Sequence, residues 1–274
     1  MACIRMLYTL IMNELDTLIT TLKLKPEVDS VFVTGSVGRG EATTSSDLDL
    51  VVVLSANPTG IRSAYQYIDG TFSDIFFFTT SEVEEVLALG SVDANDIRGM
   101  LVSWVQQGMI RFDTSGAVTR LAAVAQTIEL TVSVNEKENK MHTISYDFLR
   151  CERYVRSDDV DKQMALELML PSAVLGLVVA FLTLRDEPWR GEREAMRYIK
   201  AQDEVFYELY GSFVDSTSLR ARMQVYRTMI TRTLPPPLKM LDYTTPFALP
   251  RDASASGGDN AQELFWKMLA TPEA

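Results

Sequence analysis

Three carboxylates and one glycine-serine pair carry most of the chemical information in this 274-residue sequence. They lie in Val31–Leu54, VFVTGSVGRGEATTSSDLDLVVVL, and in Thr71–Thr79, TFSDIFFFT. Strand alternation puts Asp47, Asp49 and Val51 on one face and Leu48, Leu50 and Val52 on the other, so two carboxylates project side by side from an apolar strand. Two like charges about 4 Å apart repel by roughly 4 kcal/mol at an effective dielectric near 20. A fold keeps such a pair only with compensation from a raised pKa, an Arg or Lys partner, or a divalent cation, and oxygen-only ligation suits Mg²⁺. Asp74 interrupts a further apolar strand between Phe72 and Phe76, an expensive position for an acid that is neither paired nor metal-bound. If that strand lies beside the Asp47/Asp49 strand, the three acids converge on one two-metal site.

Gly35-Ser36 falls where the first strand ends. A glycine lets the backbone approach a phosphate closely, Ser36 offers a hydroxyl, and amides at a helix start point outward. Arg39 adds a fixed positive charge one turn on, with an ion pair to Glu41 or Asp47 as its alternative role. The GxxxxGK[ST] phosphate loop is absent, and the anion cradle here stands eleven residues before the first acid, Ser36 to Asp47.

The elements that must position these groups read as follows. Helical spacing from Ile4 to Leu22 ends at Lys25-Pro26. Val31–Val33 is a strand, Gly35–Gly40 a glycine turn that opens a short helix, and Asp47–Leu54 a second strand. Pro58–Ile68 has the length for a helix crossing over the sheet to the Thr71–Thr79 strand. Ser81–Leu89 starts a helix with Glu82, Glu84 and Glu85 near its N-terminus. Met109–Phe112 reads as an edge strand with its exit turn at Asp113–Gly116. From there the period is helical: Leu121–Glu138, Met141–Arg156, Asp159–Leu184, Arg193–Tyr210 and Thr217–Leu234, stopped by Pro235-Pro236-Pro237. The expected architecture is α+β, an α/β core with a short mixed sheet over residues 1–125, a helical bundle over 126–250, and a linker with a short C-terminal helix over 251–274.

Composition narrows the function classes. The chain carries 26 Lys and Arg against 37 Asp and Glu, a net charge of −11, so long nucleic acid is not an expected partner. Two cysteines, Cys3 and Cys151, and a single histidine, His142, exclude a disulfide framework and a Cys/His zinc site. Any metal must be held by carboxylates. Met1–Leu22 carries Arg5, Glu14 and Asp16 and no small-residue cleavage site, so it is not read as a secretory signal and a cytoplasmic location is expected. Met164–Leu184 has nearly the length of a bilayer span, but Glu167 and Pro171 interrupt it and Ser172–Leu184 is too short to cross. It reads as a buried core helix, with no membrane partner.

Gly35-Ser36, a spacer, Asp47-x-Asp49 and a later strand acid resemble the DNA polymerase β-type nucleotidyltransferase superfamily. GSVGRGEATTSSDLDL, the turn RFDTSGAV and a helical second half are similar to the aminoglycoside nucleotidyltransferases and related small-molecule enzymes. The resemblance implies an antibiotic-modifying enzyme, and monomer or homodimer is the expected assembly. A hydroxyl of a small acceptor would attack the α-phosphate of a Mg²⁺-bound nucleoside triphosphate, with ATP the expected donor, and pyrophosphate would leave. It implies that Asp47, Asp49 and Asp74 hold two Mg²⁺ ions, that Gly35, Ser36 and Arg39 hold the phosphates, and that Asp74 is a metal ligand, the general base, or both. In the helical half the candidates are Arg190, Arg193 and Lys200 for the triphosphate, and Glu138, Tyr146 and Glu152 for the acceptor. The alternative for the Arg190–Lys200 cluster is a solvated helix face. Two alternative functions share these motifs: transfer to a protein or to tRNA, and a nucleotide-binding regulatory module without turnover.

Overall fold

The computed structural model describes residues 15–68 and 70–243. The chain divides into two units, Met1–Thr131 and Val132–Ala274, each taken by itself below. The N-terminal part of the first expected helix and the expected 251–274 linker and helix lie outside the described residues.

In the first unit residues 15–23 are helical (α1), and Val28–Thr34 forms β1, Gly35–Gly38 α2 and Leu48–Leu54 β2. Ser63–Ile68 (β3), Thr71–Thr79 (β4), Thr80–Leu87 (α3) and Ser91–Asp93 (β5) follow. Ile97–Gln107 (α4), Met109–Asp113 (β6), Ala117–Val124 (α5) and Glu129–Thr131 (β7) complete it. The main sheet is mixed, in the order β3-β4-β2-β1-β6, with β2 parallel to β4 and the other pairs antiparallel. β5 and β7 form a separate two-stranded parallel sheet.

Alternation along the strands builds two cores from one sheet. Val31, Val33, Leu48, Leu50, Val52 and Ile75 pack with Leu15 and Ile19 of α1. Phe32, Val51, Val53 and Phe78 pack on the other face with α3, α4 and α5 through Val83, Val86, Leu101, Val102, Val105, Val118 and Leu121. Each fully buried side chain of this size contributes about 1.5–3 kcal/mol of transfer free energy. α3 opens with a capping box: the Thr79 hydroxyl accepts from the Glu82 amide at 3.2 Å and the Glu82 carboxylate accepts from the Thr79 amide at 2.7 Å.

Four expected elements differ. Pro58–Ile68 is not a crossover helix but a turn followed by edge strand β3, antiparallel to β4. Asn57 closes the turn by donating to the Ile61 carbonyl at 2.8 Å, and Tyr65 and Tyr67 lie on one face in strand alternation. The Asp69-Gly70 pair before β4 is a hairpin signal that outweighs segment length. Leu121–Glu138 is interrupted, because β7 leaves the helical path to pair with β5, and its last turn continues into the expected Met141–Arg156 helix as one helix over Val134–Val155. That tie carries the first unit to Thr131 instead of a boundary near 125. Arg193–Tyr210 breaks at Asp203, which caps the following helix by accepting from the Phe206 amide at 3.0 Å. Helix α4 had no sequence assignment, although Asp96 caps it and Leu101, Val102 and Val105 give it a buried face.

The second unit is helical: Val134–Val155 (α6), Val160–Thr183 (α7), Glu192–Gln202 (α8), Glu204–Asp215 (α9) and Leu219–Thr233 (α10). Helix α7 runs through Pro171 and, with a mean hydropathy of 2.2 over its apolar window, is long and apolar enough to span a membrane by length and composition. Its Leu166, Leu170, Val174, Leu177 and Phe181 sit in the bundle core with Phe206, Met223, Tyr226 and Met229. Glu167 pairs with Arg222 of α10.

Candidate functional site

The site is assembled by strand register. Thr34 of β1 pairs with Asp49 of β2, Asp49 with Asp74 of β4, and Asp74 with Tyr65 of β3. In-register partners share a sheet face, so Asp49, Asp74 and Tyr65 form one row across three strands. One row further in, Val51 pairs with Phe76, whose ring packs on Trp104 of α4 at 4.5 Å. The acids therefore mark the end of the covered core on this face. In the opposite direction Phe72 pairs with Tyr67. Tyr65, Tyr67 and Phe72 are 62%, 73% and 44% exposed, with Tyr65 stacked on Phe72 at 6.4 Å and Tyr67 edge-on to it at 5.6 Å.

The turn after β1 is shaped against this row. Gly35 has φ +63°, and a Cβ there would overlap the Asp49 carboxylate. Only glycine satisfies both conditions. A Cβ on Gly38 would come within 2.6 Å of the Val33 carbonyl oxygen, so the turn folds tightly back on its own strand. Ser36 is buried and its Oγ has no hydrogen-bond partner. Arg39 closes the turn through its amide to the Gly35 carbonyl at 3.2 Å. Its guanidinium reaches Glu41 at 3.4 Å and Gln107 at 3.2 Å, the Glu41 contact being the alternative pairing the sequence suggested.

Burial, followed by the charges of Asp47 and then Asp74, pushes the Asp49 carboxyl up to about 6, against the opposing pull of Arg39. Burial and the Asp47 charge push Asp74 up as well. Asp47, just before β2, is exposed. One oxygen of Asp74, Oδ1, is buried without a partner. An orphaned buried oxygen costs about 1–3 kcal/mol, and this site holds two, Asp74 Oδ1 and Ser36 Oγ. Their chemistry fits a cation beside Asp74 and a hydrogen-bond acceptor beside Ser36. Among the described residues no three His, Cys, Asp or Glu side chains form a ready ligand set, while Asp47 and Asp74 both act electrostatically on Asp49. Repulsion among like charges opposes closer approach.

Residues 15–96, which contain Gly35, Ser36, Arg39, Asp47, Asp49 and Asp74, match the nucleotidyltransferase domain family. A nucleotidyltransferase-like protein from Exiguobacterium sibiricum is a similar solved structure, at 13% identity and a TM-score of 0.43, over 81% of this chain and 73% of that one. No curated protein matches the chain. The matched segment runs from α1 through β5 and contains the whole acid row together with the exposed rings of β3 and β4. Tyr65, Tyr67 and Phe72 were not among the sequence candidates. The Asp-Gly hairpin between β3 and β4 was the signal that would have put Tyr65 beside Asp74.

The six candidates of the helical half do not form one cluster. Arg190 precedes α8 and lies 4.0 Å from Glu187, Arg193 is exposed on α8, and Lys200 lies 5.1 Å over the Tyr207 ring. Glu138 and Tyr146 are exposed on α6, with Tyr146 stacked on His142 and Arg150 5.5 Å over its ring. Glu152 is buried instead, and Arg227 and Arg156 hold its carboxyl below the usual range. A neutralised carboxylate of this kind is a poor ligand for a cationic acceptor.

Proposed function

We propose that the first unit transfers a nucleoside monophosphate from ATP to a hydroxyl of a small, ring-bearing, cationic acceptor such as an aminoglycoside-type antibiotic, releasing pyrophosphate. The observation that carries this reading is the register Thr34–Asp49–Asp74, which sets the glycine-serine turn and two carboxylates side by side on one face. The domain match over residues 15–96 supports the reaction type.

Asp47, Asp49 and Asp74 are the groups that would hold Mg²⁺, which offsets the mutual repulsion raising the Asp49 pKa. Bound there, it supplies stabilisation of the charge on the α-phosphate and a lower pKa for the attacking hydroxyl. The side chains do the remaining work. Ser36 Oγ, buried and unpartnered, donates to a phosphate oxygen, and Gly35 lets the backbone approach it. Arg39 contributes positive charge beside Asp49. Asp74, its basicity raised by burial and by Asp47, accepts the acceptor's hydroxyl proton as the new O–P bond forms and the bond to pyrophosphate breaks. The exposed rings of Tyr65, Tyr67 and Phe72 beside the acids support a ring-bearing acceptor. Aromatic faces next to carboxylates in a chain of net charge −11 favour a cationic one.

The test incubates the full chain with Mg²⁺ and α-labelled ATP, GTP, CTP or UTP against a panel of aminoglycosides, whole-cell RNA and lysate protein. Label from ATP on a small molecule, lost in Asp49→Asn, is expected. Label confined to RNA or protein replaces the acceptor. Triphosphate binding with no label on any of them points to a regulatory module.

A further inference from the structure

In the second unit the last turns of α6 and the middle of α10 bound a groove of about 620 Å³ lined by Phe148, Leu149, Glu152, Arg153, Arg156 and Arg227. Three guanidinium charges against one carboxylate leave this groove at +2 in a chain whose net charge is −11. The single acid is also fully engaged. Glu152 is buried, with Arg156 Nη2 donating to its Oε2 at 2.8 Å and Arg227 Nε donating to its Oε1. Arg227 is further tied through Nη1 to Gln224 Oε1 at 3.1 Å. Two planar donor forks from two different helices are thus held by one buried anchor. Arg153, the neighbour of that anchor, is exposed and pairs with no carboxylate among the described residues.

A purely structural role accounts for part of this. Arg153 lies in the last turn of α6 and Arg156 is its C-cap, where cations complement the helix dipole. That role requires neither Arg227, which comes from α10, nor a groove whose remaining wall is apolar. Leu149 is 41% exposed and Phe148 is half-buried, an apolar surface lining the same groove as three guanidinium groups.

We propose that this groove binds a small organic phosphate. Arg153 and the remaining N–H groups of Arg156 and Arg227 hold its phosphoryl oxygens, and its apolar or aromatic body lies on Phe148 and Leu149. A doubly charged tetrahedral group accepts from several guanidinium forks at once, which a single carboxylate does less well. Glu152 is a positioning residue, touching the arginines and not the ligand. A nucleotide and a non-nucleotide phosphate ester offer the same chemistry. The site stands on the groove alone and does not depend on the transfer reaction.

The test is calorimetric titration of the full chain with phenyl phosphate, AMP and inorganic phosphate at low and high salt. It is repeated with Arg153→Gln, Arg153→Lys, Arg227→Gln and Ser36→Ala. Because Arg153 is exposed and unpaired, Arg153→Gln keeps the fold, with the thermal midpoint as the check. It should weaken phenyl phosphate about tenfold through loss of a charge-assisted contact, while Arg153→Lys restores part of the affinity and Ser36→Ala leaves it unchanged. Inorganic phosphate should bind more weakly than phenyl phosphate, and high salt should weaken both. AMP tighter than phenyl phosphate, with the same Arg153 dependence, identifies a nucleotide as the source, and equal affinities identify a general phosphate ester. Absence of phenyl phosphate binding at millimolar concentration, affinity unaffected by Arg153→Gln, or affinity lost in Ser36→Ala each overturns the proposal. So does Arg153-dependent capture of an acidic peptide or an anionic vesicle without phenyl phosphate binding.

Discussion

Asp49 and Glu152 are both carboxylates drawn out of water, one in each unit, and their surroundings are opposite. Asp49 stands in a row with Asp74, within the field of Asp47, and its pKa is pushed up to about 6. Glu152 is gripped by Arg227 and Arg156, and its pKa is held down. The first arrangement stores electrostatic cost that a cation or a proton can relieve, and the second has relieved it within the chain. A buried acid alone therefore does not mark a site. The sign of its neighbours separates a group poised to act from one that holds two helices together.

The sharpest way to break this contrast is to neutralise each acid. Asp49→Asn should lower nucleotidyl transfer about a thousandfold, roughly 4 kcal/mol, while the thermal midpoint of the metal-free protein stays the same or rises. Transfer retained above about a tenth of wild type, which is under roughly 1.4 kcal/mol, would remove Asp49 from the site.

The pH dependence of stability should carry opposite signs at the two acids. Asp49 has a folded pKa above its unfolded value of 3.8, so the folded state binds the proton more tightly. In metal-free protein its contribution is most favourable below about pH 4 and declines as pH rises to about 6, a change on the order of 3 kcal/mol. Asp49→Asn should abolish that decline in denaturant unfolding, and Mg²⁺ should flatten it. The lowered pKa of Glu152 acts in the reverse sense, stabilising above its unfolded value near 4.5 and losing that contribution as pH falls through the folded value. A wild-type profile identical to that of Asp49→Asn in the absence of metal would erase the distinction.

Glu152→Gln should destabilise the second unit by about 2 kcal/mol in denaturant unfolding. That is less than the 3–5 kcal/mol of a fully buried pair, because both arginines stay partly hydrated. No change would mean that the triad is an exposed convenience rather than an anchor. The smallest effect is expected at Tyr65→Ser, a rise of about threefold in the acceptor KM with kcat and the ATP KM nearly unchanged. A fall in kcat instead would place Tyr65 on the reacting atoms.

Legibility in the sequence followed the range of the forces involved. The strand over Asp47–Leu54, the Asp74 strand and the helical character of the second unit were readable, because period and turn residues act within a few positions, whereas the Thr79 cap, the continuity of α6 past residue 138 and the break at Asp203 were not. β3 was missed since a segment of helical length was weighed above its tyrosine alternation and its Asp-Gly turn. The break before α6 was missed since β7 is three residues long and exists through its pairing with β5. Glu152 showed the same limit at a single residue. It was named as a candidate acceptor contact, and the approach of Arg227, 75 positions away, instead holds it as a buried ion-pair anchor.

By itself the sequence determined which groups are available: a glycine-serine turn, two acids at alternate positions, a third acid in an apolar strand, and a chain without the cysteines and histidines for other metal chemistry. These are properties of residue type and short spacing. Only the tertiary structure decided that β2 and β4 lie parallel and adjacent, so that Asp49 meets Asp74, and that Tyr65 completes their row. It also decided that Glu152 is neutralised while Asp49 is not. Coulomb energy and desolvation depend on distance in space, and strand register and helix packing, not sequence separation, set that distance.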